Sequence, residues 1–350
     1  MTEIDVMLFF SARFAHEVLT TQRHRLSLIG DRERSEAQYG QDLIVRLHNP
    51  LMRHDDGSPI VLNRAEAMFR MGMYLEAPNL PSGIGYEASG IVEAVGENAG
   101  EFKPGDAVCV IPAFSMNAYS VYGDHAIVPA YACTPRPAGL DAVQSASVWM
   151  QYLTAYGALI DIAKLGKGDF VIIPAASSSV GIAAIQIANY VGATPIATTR
   201  GKGKVEAIKS AGAQHVITGD QDLVAEVMRI TDGKGARVVF DPVAGPAVEK
   251  LANATAAGGI IFLYGALEPQ VTPLPLIAAL NRALTFRGYT LFEINADPVR
   301  FAAGKQFVTE GLASGALKPV VAKTFPLDQI VEAHTYLESN QQFGKIVVTV

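Results

Sequence analysis

The middle of the chain alternates apolar strands with helices, and this alternation constrains the fold more than any other feature. From Phe170 onward, the strand "DFVIIPAA" leads into the helix "SVGIAAIQIANYVG" and then into the strand "TPIATT". Consecutive parallel strands need a crossover helix, and the sheet that they form is covered on both faces. The pattern therefore predicts an α/β fold with a doubly wound parallel sheet across roughly residues 150 to 290. Further strands of this sheet are predicted in "HVIT", "ARVVFDPV", "GGIIFLYGAL" and "ALTFRGYTL".

Shorter runs, rich in glycine and proline, precede this sheet. Residues 62–137 contain alternating stretches such as "SGIVEAVG" and "DAVCVIPA", which are typical of a β-rich domain. After the sheet, "DPVRFAAGKQFVTEGLASG" predicts an amphipathic helix, and the residues that follow predict a strand, a helix and a strand. We expect this last part of the chain to rejoin the first domain.

Charge and composition exclude several classes of function. The 350 residues carry a net charge of -6 and no basic cluster, so we expect no nucleic-acid partner. Cys109 and Cys133 are too few for a four-thiolate zinc lobe or a disulfide framework, and they fit a reduced, cytoplasmic setting. The longest weakly charged run, Phe170–Thr199, is interrupted by Pro174 and Gly192, so we expect no membrane partner. The charged N-terminus also lacks the pattern of a secretory signal.

The turn "AASSSVG", from Ala175 to Gly181, lies where a predicted parallel strand ends and a helix begins. Such a turn attracts anions because free backbone N–H groups and the helix dipole point at the same place. Small residues let the backbone approach a dinucleotide pyrophosphate, and the three serines add hydroxyl donors. The alternative is a serine-rich turn that caps a purely structural helix.

The next strand of the sheet ends in "TTRGKGK", where binders of NAD and NADP differ. An acidic residue here accepts hydrogen bonds from a ribose 2′-OH, whereas Arg or Lys pairs with a 2′-phosphate. No acid precedes Glu206, but Arg200, Lys202 and Lys204 are close by and Thr199 adds a donor. The turn therefore favours NADPH over NADH. A solvated basic turn is the alternative.

Several motifs follow one another along the chain. They are "LNRAEAMFRMGMY", "GYEASGIVEAVG", "FKPGDAV", "YGDHAIVPA", "WMQYLTAYGAL", "AASSSVGIAAIQIA", "DPVAGP", "FLYGAL" and "FGKIVVTV". Together these motifs resemble the medium-chain dehydrogenase/reductase superfamily, and more narrowly its zinc-free quinone oxidoreductase branch. The resemblance implies a Rossmann NADP-binding domain, residues 148–292, inserted into a GroES-like catalytic domain. The catalytic domain would comprise residues 1–147 and a C-terminal part, residues 293–350.

The resemblance also defines what the chain lacks. Zinc enzymes of this superfamily carry a catalytic cysteine where this chain has Asn63, and a histidine before the glutamate where it has Tyr86. Glu87 alone could not hold a catalytic zinc, so we expect no metal. The clusters around His24 and at His48, His54, Asp55 and Asp56 lack a ligand spacing and are interpreted as solvated surface.

The site residues that the resemblance implies fall into a catalytic and a cofactor-binding set. Asn63 corresponds to an active-site asparagine near the nicotinamide and Tyr74 to a pocket tyrosine, and these two are the predicted catalytic residues. For every member the alternative is a role in packing. The cofactor-binding set is Asn63, Thr154, Ser177, Ser178, Ser179, Val180, Gly181, Thr199, Arg200, Lys204, Tyr264, Gly265, Ala266, Leu291 and Asn340.

The missing zinc ligands favour a conjugated acceptor as substrate. Reduction of a plain ketone calls for a Lewis acid or a strong proton relay at oxygen. A quinone, enone or conjugated aldehyde instead takes hydride at carbon, and hydrogen-bond donors can stabilise the charge on a distant oxygen. We expect an NADPH-dependent reductase of such a small molecule, and the resemblance implies a homodimer joined through the cofactor domains. The alternatives are a zinc-free alcohol dehydrogenase or carbonyl reductase, and a non-catalytic NADPH-binding protein.

Residues 20–61 differ from both flanks, since they are polar and rich in arginine and histidine, with only "DLIVRLH" resembling a strand. Members of the superfamily have two short strands here around a segment rich in proline and glycine. The stretch is either an insertion or, as we hypothesise from its contrasting composition, a segment translated in a shifted reading frame. Resequencing the gene without finding compensating frame changes would exclude the second explanation.

Overall fold

Two β-sheets organise the described part of the chain, which comprises residues 42–46, 58–96 and 99–350 of the computed structural model. One sheet belongs to a first unit, formed by the residues up to Trp149 together with Val321–Val350, and the other to a second unit, Met150–Val320. The clusters around His24 and at His48, His54, Asp55 and Asp56 lie outside the described residues, as does most of segment 20–61.

The elements follow the predicted order along the chain. The strands are β1 (Asp42–Arg46), β2 (Pro59–Leu62), β3 (Glu87–Val95), β4 (Ala107–Val110), β5 (His125–Pro129), β6 (Cys133–Pro135), β7 (Phe170–Ile173), β8 (Thr194–Thr199), β9 (His215–Thr218), β10 (Ala236–Asp241), β11 (Thr255–Leu263), β12 (Thr285–Gly288), β13 (Val321–Pro326) and β14 (Lys345–Thr349). The α-helices are α1 (Arg64–Arg70), α2 (Ala142–Ala146), α3 (Trp149–Tyr156), α4 (Ser179–Tyr190), α5 (Val205–Ser210), α6 (Leu223–Ile230), α7 (Val248–Ala254), α8 (Leu276–Arg282), α9 (Phe292–Asn295), α10 (Pro298–Ala313) and α11 (Ile330–Glu338).

The sheet of the first unit is largely antiparallel. Its strand order is β13-β14-β2-β3-β1-β5, with β4 pairing to both β3 and β6, and β13 and β14 run parallel. Because β2 is antiparallel to both neighbours, its end lies beside the beginnings of β14 and β3, as the pairs Leu62 with Ile346 and Val61 with Glu87 show. The end of β2 and the beginnings of β14 and β3 therefore lie side by side, although they come from different parts of the sequence.

The sheet of the second unit is parallel throughout, in the order β12-β11-β10-β7-β8-β9. Ile172, Ile196, Val239 and Ile261, one from each of four neighbouring strands, are completely buried in its core. The predicted α/β fold with a doubly wound parallel sheet is confirmed. The apolar strands are explained by this burial, since helices cover both faces of such a sheet.

The helix α4 packs closely on the sheet because its first turn carries a small residue. A Cβ atom on Gly181 would lie 2.8 Å from both the Ala175 carbonyl oxygen and the Ala176 Cα, which is too close for any side chain. Because Gly181 has no side chain, the turn before α4 can pack directly against the first turn of the helix. No helix of the described residues is both long and apolar enough to cross a membrane.

The helix α10 lies in the second unit, whereas the sequence analysis assigned residues 293–350 to the catalytic domain. Gly304 of this helix faces α3, where a Cβ would come within 2.9 Å of Leu153 and 3.1 Å of Tyr156. Arg300 also pairs with Asp161 at 2.6 Å. These contacts join α10 to α3 and to the residues that follow α3, so the second unit extends to Val320.

Candidate active site

A buried polar cluster lies where β2, β3 and β14 meet. Asn63 follows β2 and begins α1, with its backbone N–H donating to Glu66 Oε2 at 2.8 Å, in the capping-box arrangement that an Asn-x-x-Glu sequence favours. Lys345, the first residue of β14, donates from Nζ to Glu87 Oε2 at 2.8 Å and also to Asn63 Oδ1. We refer to Asn63, Glu66, Glu87 and Lys345 as the Lys345 cluster.

The side-chain amide of Asn63 is fully used within this cluster. Its Nδ2 donates to Glu66 Oε1 and to Glu87 Oε2, both at 3.2 Å, while its Oδ1 accepts from Lys345. The residue is 8% exposed. A hydrogen bond from this amide to a nicotinamide or an acceptor would have to replace one inside the cluster, and the predicted role of Asn63 beside the nicotinamide stays a prediction.

Charge balance in the cluster rests on one cation between two acids. Lys345 is 1% exposed, and the Glu66 and Glu87 side chains are completely buried. Burial raises the pKa of Glu66 to about 7, although the hydrogen bond from Asn63 and the nearby Lys345 ammonium act in the opposite direction. Glu66 also accepts from the Tyr86 backbone N–H at 3.2 Å. Sequence reasoning missed Glu66 and Lys345 as members of this site.

The predicted catalytic Tyr74 belongs to an aromatic group in the same unit. Its side chain is half-buried and lies beside Tyr86, whose ring centroid is 6.3 Å from its own. Burial raises the pKa of both phenols, so both are neutral hydrogen-bond donors at physiological pH. Tyr86 is completely buried and packs against Phe114 at a centroid distance of 5.7 Å.

The serine turn has the predicted geometry of a strand-to-helix connection. Ala175 adopts a left-handed backbone conformation with φ 48°, and Ser178 caps α4 by accepting from the Gly181 N–H at 3.0 Å. The hydroxyl of Ser178 is therefore engaged in capping. The turn continues through Ser179 and Val180 as the first residues of α4.

The structure brings the serine turn and the basic turn together. Lys204 Nζ donates to Ser177 Oγ at 3.3 Å, because β7 and β8 are parallel neighbours and their carboxyl ends lie side by side. Burial lowers the pKa of Lys204, and the adjacent Arg200 cation acts in the same direction. Lys202 differs from these two, since it pairs with Asp220 at 3.0 Å. Arg200 and Lys204 thus create a positive field beside Ser177, which suits an anion.

Two further loops follow the carboxyl ends of β10 and β11. Asp241 is buried and accepts from the N–H groups of Val243 and Ala244 at 2.8 and 3.1 Å, an arrangement that sequence reasoning missed. A Cβ on Gly265 would lie 2.7 Å from the Pro242 carbonyl oxygen, so only glycine allows the two loops to approach this closely. The exposed backbone at Gly265 fits the close approach of a cofactor, with Ala266 exposed next to it.

Other predicted cofactor residues have contacts within their own unit. Tyr264 stacks on Phe240 at 4.0 Å, so its ring packs inside the second unit. The Thr154 hydroxyl donates to the Met150 carbonyl one turn earlier in its helix. Leu291 is 5% exposed and serves packing. Thr199 ends β8 beside Thr218.

Asn340, by contrast, belongs to the first unit and is held by Arg64. It adopts a left-handed conformation with φ 58°, and its Oδ1 accepts from the Arg64 guanidinium at 2.6 Å. Its side chain therefore has a structural role in the unit that carries the Lys345 cluster. The predicted contact of Asn340 with a cofactor stays a prediction.

Metal ligands are scarce in the described ranges. No group of three or more His, Cys, Asp or Glu side chains there could hold a metal ion. Cys109 and Cys133 are buried as reduced thiols, and Cys109 Sγ lies 3.5 Å from the Ser145 carbonyl oxygen. Burial raises the pKa of the Cys109 thiol to about 11, which suits a packing role.

Two family models match separate stretches of the chain. Residues 60–155 match the alcohol dehydrogenase GroES-like domain, and residues 211–348 match the zinc-binding dehydrogenase family. Among curated proteins, the chain is 29% identical over 273 residues to the 2-haloacrylate reductase of a Burkholderia species, covering 77% of this chain and 81% of that protein.

Solved structures show the same architecture along most of the chain. The Escherichia coli quinone oxidoreductase complexed with NADPH superposes with a TM-score of 0.78 at 26% identity, covering 89% of this chain and 92% of the other. An NAD-dependent alcohol dehydrogenase reaches the same TM-score at 29% identity, with coverage of 89% and 92%. Both likenesses extend over the GroES-like and the Rossmann parts.

The buried carboxyl of Glu66 makes a prediction about pH. Because its pKa is about 7 in the folded protein and 4.5 in the reference state, the unfolded chain releases this proton first as the pH rises. As the pH rises from about 4.5 to 7, Glu66 ionises in the unfolded chain while it stays protonated in the folded protein. The free energy of unfolding therefore falls over this range by on the order of 3 kcal/mol. In chemical denaturation, the Glu66→Gln variant should gain stability over the wild type from pH 5 to pH 8.

The exposed Glu249 provides the control for this measurement. Glu249→Gln should follow the wild-type stability at every pH. A Glu66→Gln variant whose difference from the wild type does not change with pH would show that the Glu66 carboxyl is not held protonated by burial.

Proposed function

Because this chain belongs to the medium-chain dehydrogenase/reductase superfamily, in its quinone oxidoreductase-like branch, we propose that it reduces a conjugated carbonyl compound or a quinone with NADPH and without zinc. The 2-haloacrylate reductase and the quinone oxidoreductase that resemble it support an acceptor whose double bond is conjugated with a carbonyl group. The NADPH complex of the quinone oxidoreductase supports the cofactor.

The ammonium group of Lys345 is the observation that carries the zinc-free part of this proposal. It bonds to Asn63, which stands where zinc enzymes of the superfamily have a cysteine, and to Glu87, which follows the position of their histidine. A buried cation repels a second cation, and an amide and a phenol replace thiolate and imidazole ligands. These residues fit a site that uses hydrogen bonds instead of a Lewis acid.

The residues of the second unit fit a dinucleotide with a 2′-phosphate. The serine turn and Gly265 leave room for backbone to approach a pyrophosphate and a ribose, and Arg200 with Lys204 would hold the 2′-phosphate. When bound, the nicotinamide supplies the hydride. The protein's own contribution is to hold the acceptor and the nicotinamide in the orientation that hydride transfer requires.

The neutral phenol of Tyr74 would stabilise the charge that develops on the acceptor oxygen. A hydrogen bond from a positioned neutral donor suffices in a conjugated system, because the negative charge spreads away from the carbon that receives hydride. Three large apolar side chains near Tyr74 in sequence, Met73, Leu75 and Leu80, are exposed and favour an apolar acceptor.

Two alternatives from the sequence analysis, another type of dehydrogenase and a non-catalytic protein, are tested by the same NADPH-dependent reduction. The likeness to an NAD-dependent alcohol dehydrogenase supports a zinc-free alcohol dehydrogenase or carbonyl reductase as the second candidate. A non-catalytic protein would bind NADPH and leave every acceptor unchanged.

Turnover measurements provide the first test of the proposal. NADPH oxidation followed at 340 nm should occur with quinones or enones, should be slower with plain ketones, and should not respond to a metal chelator. Chelator-sensitive oxidation of alcohols would contradict the proposal. Tight NADPH binding without oxidation by any quinone, enone or aldehyde would favour the non-catalytic alternative.

Selectivity for NADPH provides the second test. Arg200→Ala and Lys204→Ala should each raise the Kd of NADPH by roughly 10- to 100-fold and change the Kd of NADH little, because each removes a charge-assisted contact to the 2′-phosphate. Lys202→Ala is the matched control, since Lys202 pairs with Asp220 and should leave both Kd values near those of the wild type. Equal weakening of NADH and NADPH binding would contradict the 2′-phosphate assignment.

A homodimer formed through the second unit is the assembly that we propose. Five large apolar side chains on α8 and just before it are more than half exposed, and we call them the apolar patch: Val271, Leu274, Leu276, Ile277 and Leu280. The apolar patch comes just before β12 in the sequence, and β12 is an edge strand of the parallel sheet. An apolar surface next to a sheet edge is typical of a subunit interface.

Light scattering with size-exclusion chromatography tests the assembly. The wild type should have the mass of two chains, and the double variant Ile277→Asp, Leu280→Asp should have the mass of one, because charges in an apolar interface are costly to desolvate. Val299→Asp is the control, because Val299 is equally exposed but lies on α10. A monomeric wild type, or a double variant that remains dimeric, would contradict the proposed interface.

A further inference from the structure

The loop that carries Tyr74 is held by side chains rather than by its backbone. We call residues 74–83 the Tyr74 loop. Among the residues that the structure describes, no backbone-to-backbone hydrogen bond involves this loop. Leu75 and Leu80 are 69% and 64% exposed, so burial of these apolar side chains does not hold it either. A segment of this kind opens easily unless other contacts fix it.

Glu76 fixes the Tyr74 loop from within. Its half-buried carboxylate accepts from the Met116 N–H at 2.9 Å and from the Ser115 hydroxyl, both on a separate loop of the first unit. The Tyr86 hydroxyl donates to the same carboxylate at 3.4 Å. Glu76 therefore ties the Tyr74 loop to residues that follow β4.

Asn117 fixes the Tyr74 loop from the opposite side. Its Oδ1 accepts from the Asn79 N–H at 2.7 Å, and its Nδ2 donates to the Ala77 carbonyl oxygen at 2.9 Å. The same Nδ2 lies 3.3 Å from Glu76 Oε2, so the two side chains also bond to each other. We call Glu76 and Asn117 the loop clamp, because each reaches from its own loop to the other.

The loop on the Asn117 side is a firm support for this clamp. Phe114 and Met116 are 5% and 1% exposed, and the Phe114 ring packs against Tyr86 at a centroid distance of 5.7 Å. The Ser115 hydroxyl accepts from the Asn117 N–H at 3.1 Å, which orders the residues between them. The loop clamp thus joins a loop without backbone bonds of its own to a buried anchor.

Charge distinguishes Glu76 from the rest of this surface. Glu76 is the sole charged residue among residues 71–86 and 112–122. Its hydrogen-bond donors Ser115, Met116 and Asn117 are all neutral. Burial raises the pKa of Tyr74, and the Glu66 and Glu76 carboxylates act in the same direction. Negative charge therefore acts at the Tyr74 phenol, and an anion bound there would be repelled.

We propose that the loop clamp preforms the Tyr74 loop as a binding surface for a neutral, apolar acceptor, and that the Glu76 carboxylate disfavours acceptors with a negative charge. A loop that is already ordered costs the acceptor no ordering free energy on binding. Glu76 and Asn117 are positioning residues, because they act on the acceptor through Tyr74 and its loop. This inference rests on the proposed reductase activity and names the acceptor class for it.

Asn117→Ala tests the clamp without changing any charge. It removes the hydrogen bonds to Ala77, Asn79 and Glu76. A loop that keeps its binding conformation for about a tenth of the time raises the KM of the acceptor by about 10-fold. The kcat at saturating acceptor and the Kd of NADPH should stay at the wild-type values. Thermolysin should also cleave within residues 74–83 roughly 10-fold faster, as located by mass spectrometry.

Glu76→Gln tests the charge, since glutamine keeps a carbonyl oxygen that can accept from the Met116 N–H. Two pairs of acceptors differ in one anionic group: benzylideneacetone and its para-carboxylate as enones, and naphthoquinone and its sulfonate as quinones. The wild type should have the higher kcat/KM for the neutral member of a pair. Glu76→Gln should lower the neutral-to-anionic ratio by about threefold or more, whereas Asn117→Ala should leave it unchanged. Comparison of variants on one pair cancels the intrinsic reactivity of the two acceptors.

Asn253→Ala is the matched control for Asn117→Ala, because Asn253 Nδ2 donates to the Glu249 carbonyl oxygen at 3.0 Å on α7. It should keep the wild-type KM and cleavage rate. A wild-type KM and cleavage rate in Asn117→Ala would overturn the clamp, and an unchanged ratio in Glu76→Gln would overturn the role of the charge. A wild type that reduces no acceptor would overturn the proposed function and the acceptor class with it, whereas the cleavage rates report on the clamp independently of turnover.

Discussion

A single buried ammonium group determines how the first unit is arranged at its predicted reactive end. Lys345 bonds to Asn63 and Glu87, so it joins the beginning of β14, the end of β2 and the beginning of β3. Removal of one partner from a buried ion pair leaves the other charge without compensation, at a cost of about 3–5 kcal/mol. The orientation of Asn63, the start of α1 and the backbone of Tyr86 all depend on this cluster through Glu66.

The second unit depends on a different constraint, the shared direction of its strands. Because every strand of its sheet is parallel, the turns after β7, β8, β10 and β11 lie along one edge. That arrangement explains how Lys204 reaches Ser177 from a turn 27 residues later in the chain. Short turns are therefore enough to bring Arg200 and Lys204 close to the serine turn. The close contact between Gly265 and Pro242 lies at the same edge of the sheet.

Local patterns in the sequence predicted the parallel sheet, the serine turn and the basic turn, because strand and helix periodicity and turn composition act over a few residues. The Lys345 cluster escaped prediction for the opposite reason. Lys345 is one lysine at the start of an apolar strand, and its partners lie 258 and 282 residues away. The role of Glu66 in the cluster was not predicted either, because Asn-x-x-Glu is a common sequence at the start of a helix. The helix α10 contacts the second unit although the sequence analysis placed it in the catalytic domain, because amphipathicity does not reveal which surface a helix covers. The predicted domain bounds stay a prediction.

The position of Lys345 in the chain also sets an order for folding during synthesis. The ribosome produces Asn63, Glu66 and Glu87 first, then the whole of the second unit, and Lys345 only afterwards. Until that lysine emerges, the two acids have no buried cation to neutralise them, so their part of the first unit stays hydrated or protonated. The second unit has all its strands by then and can fold as an independent body. Completion of the predicted reactive end is thereby delayed until the inserted unit has been made.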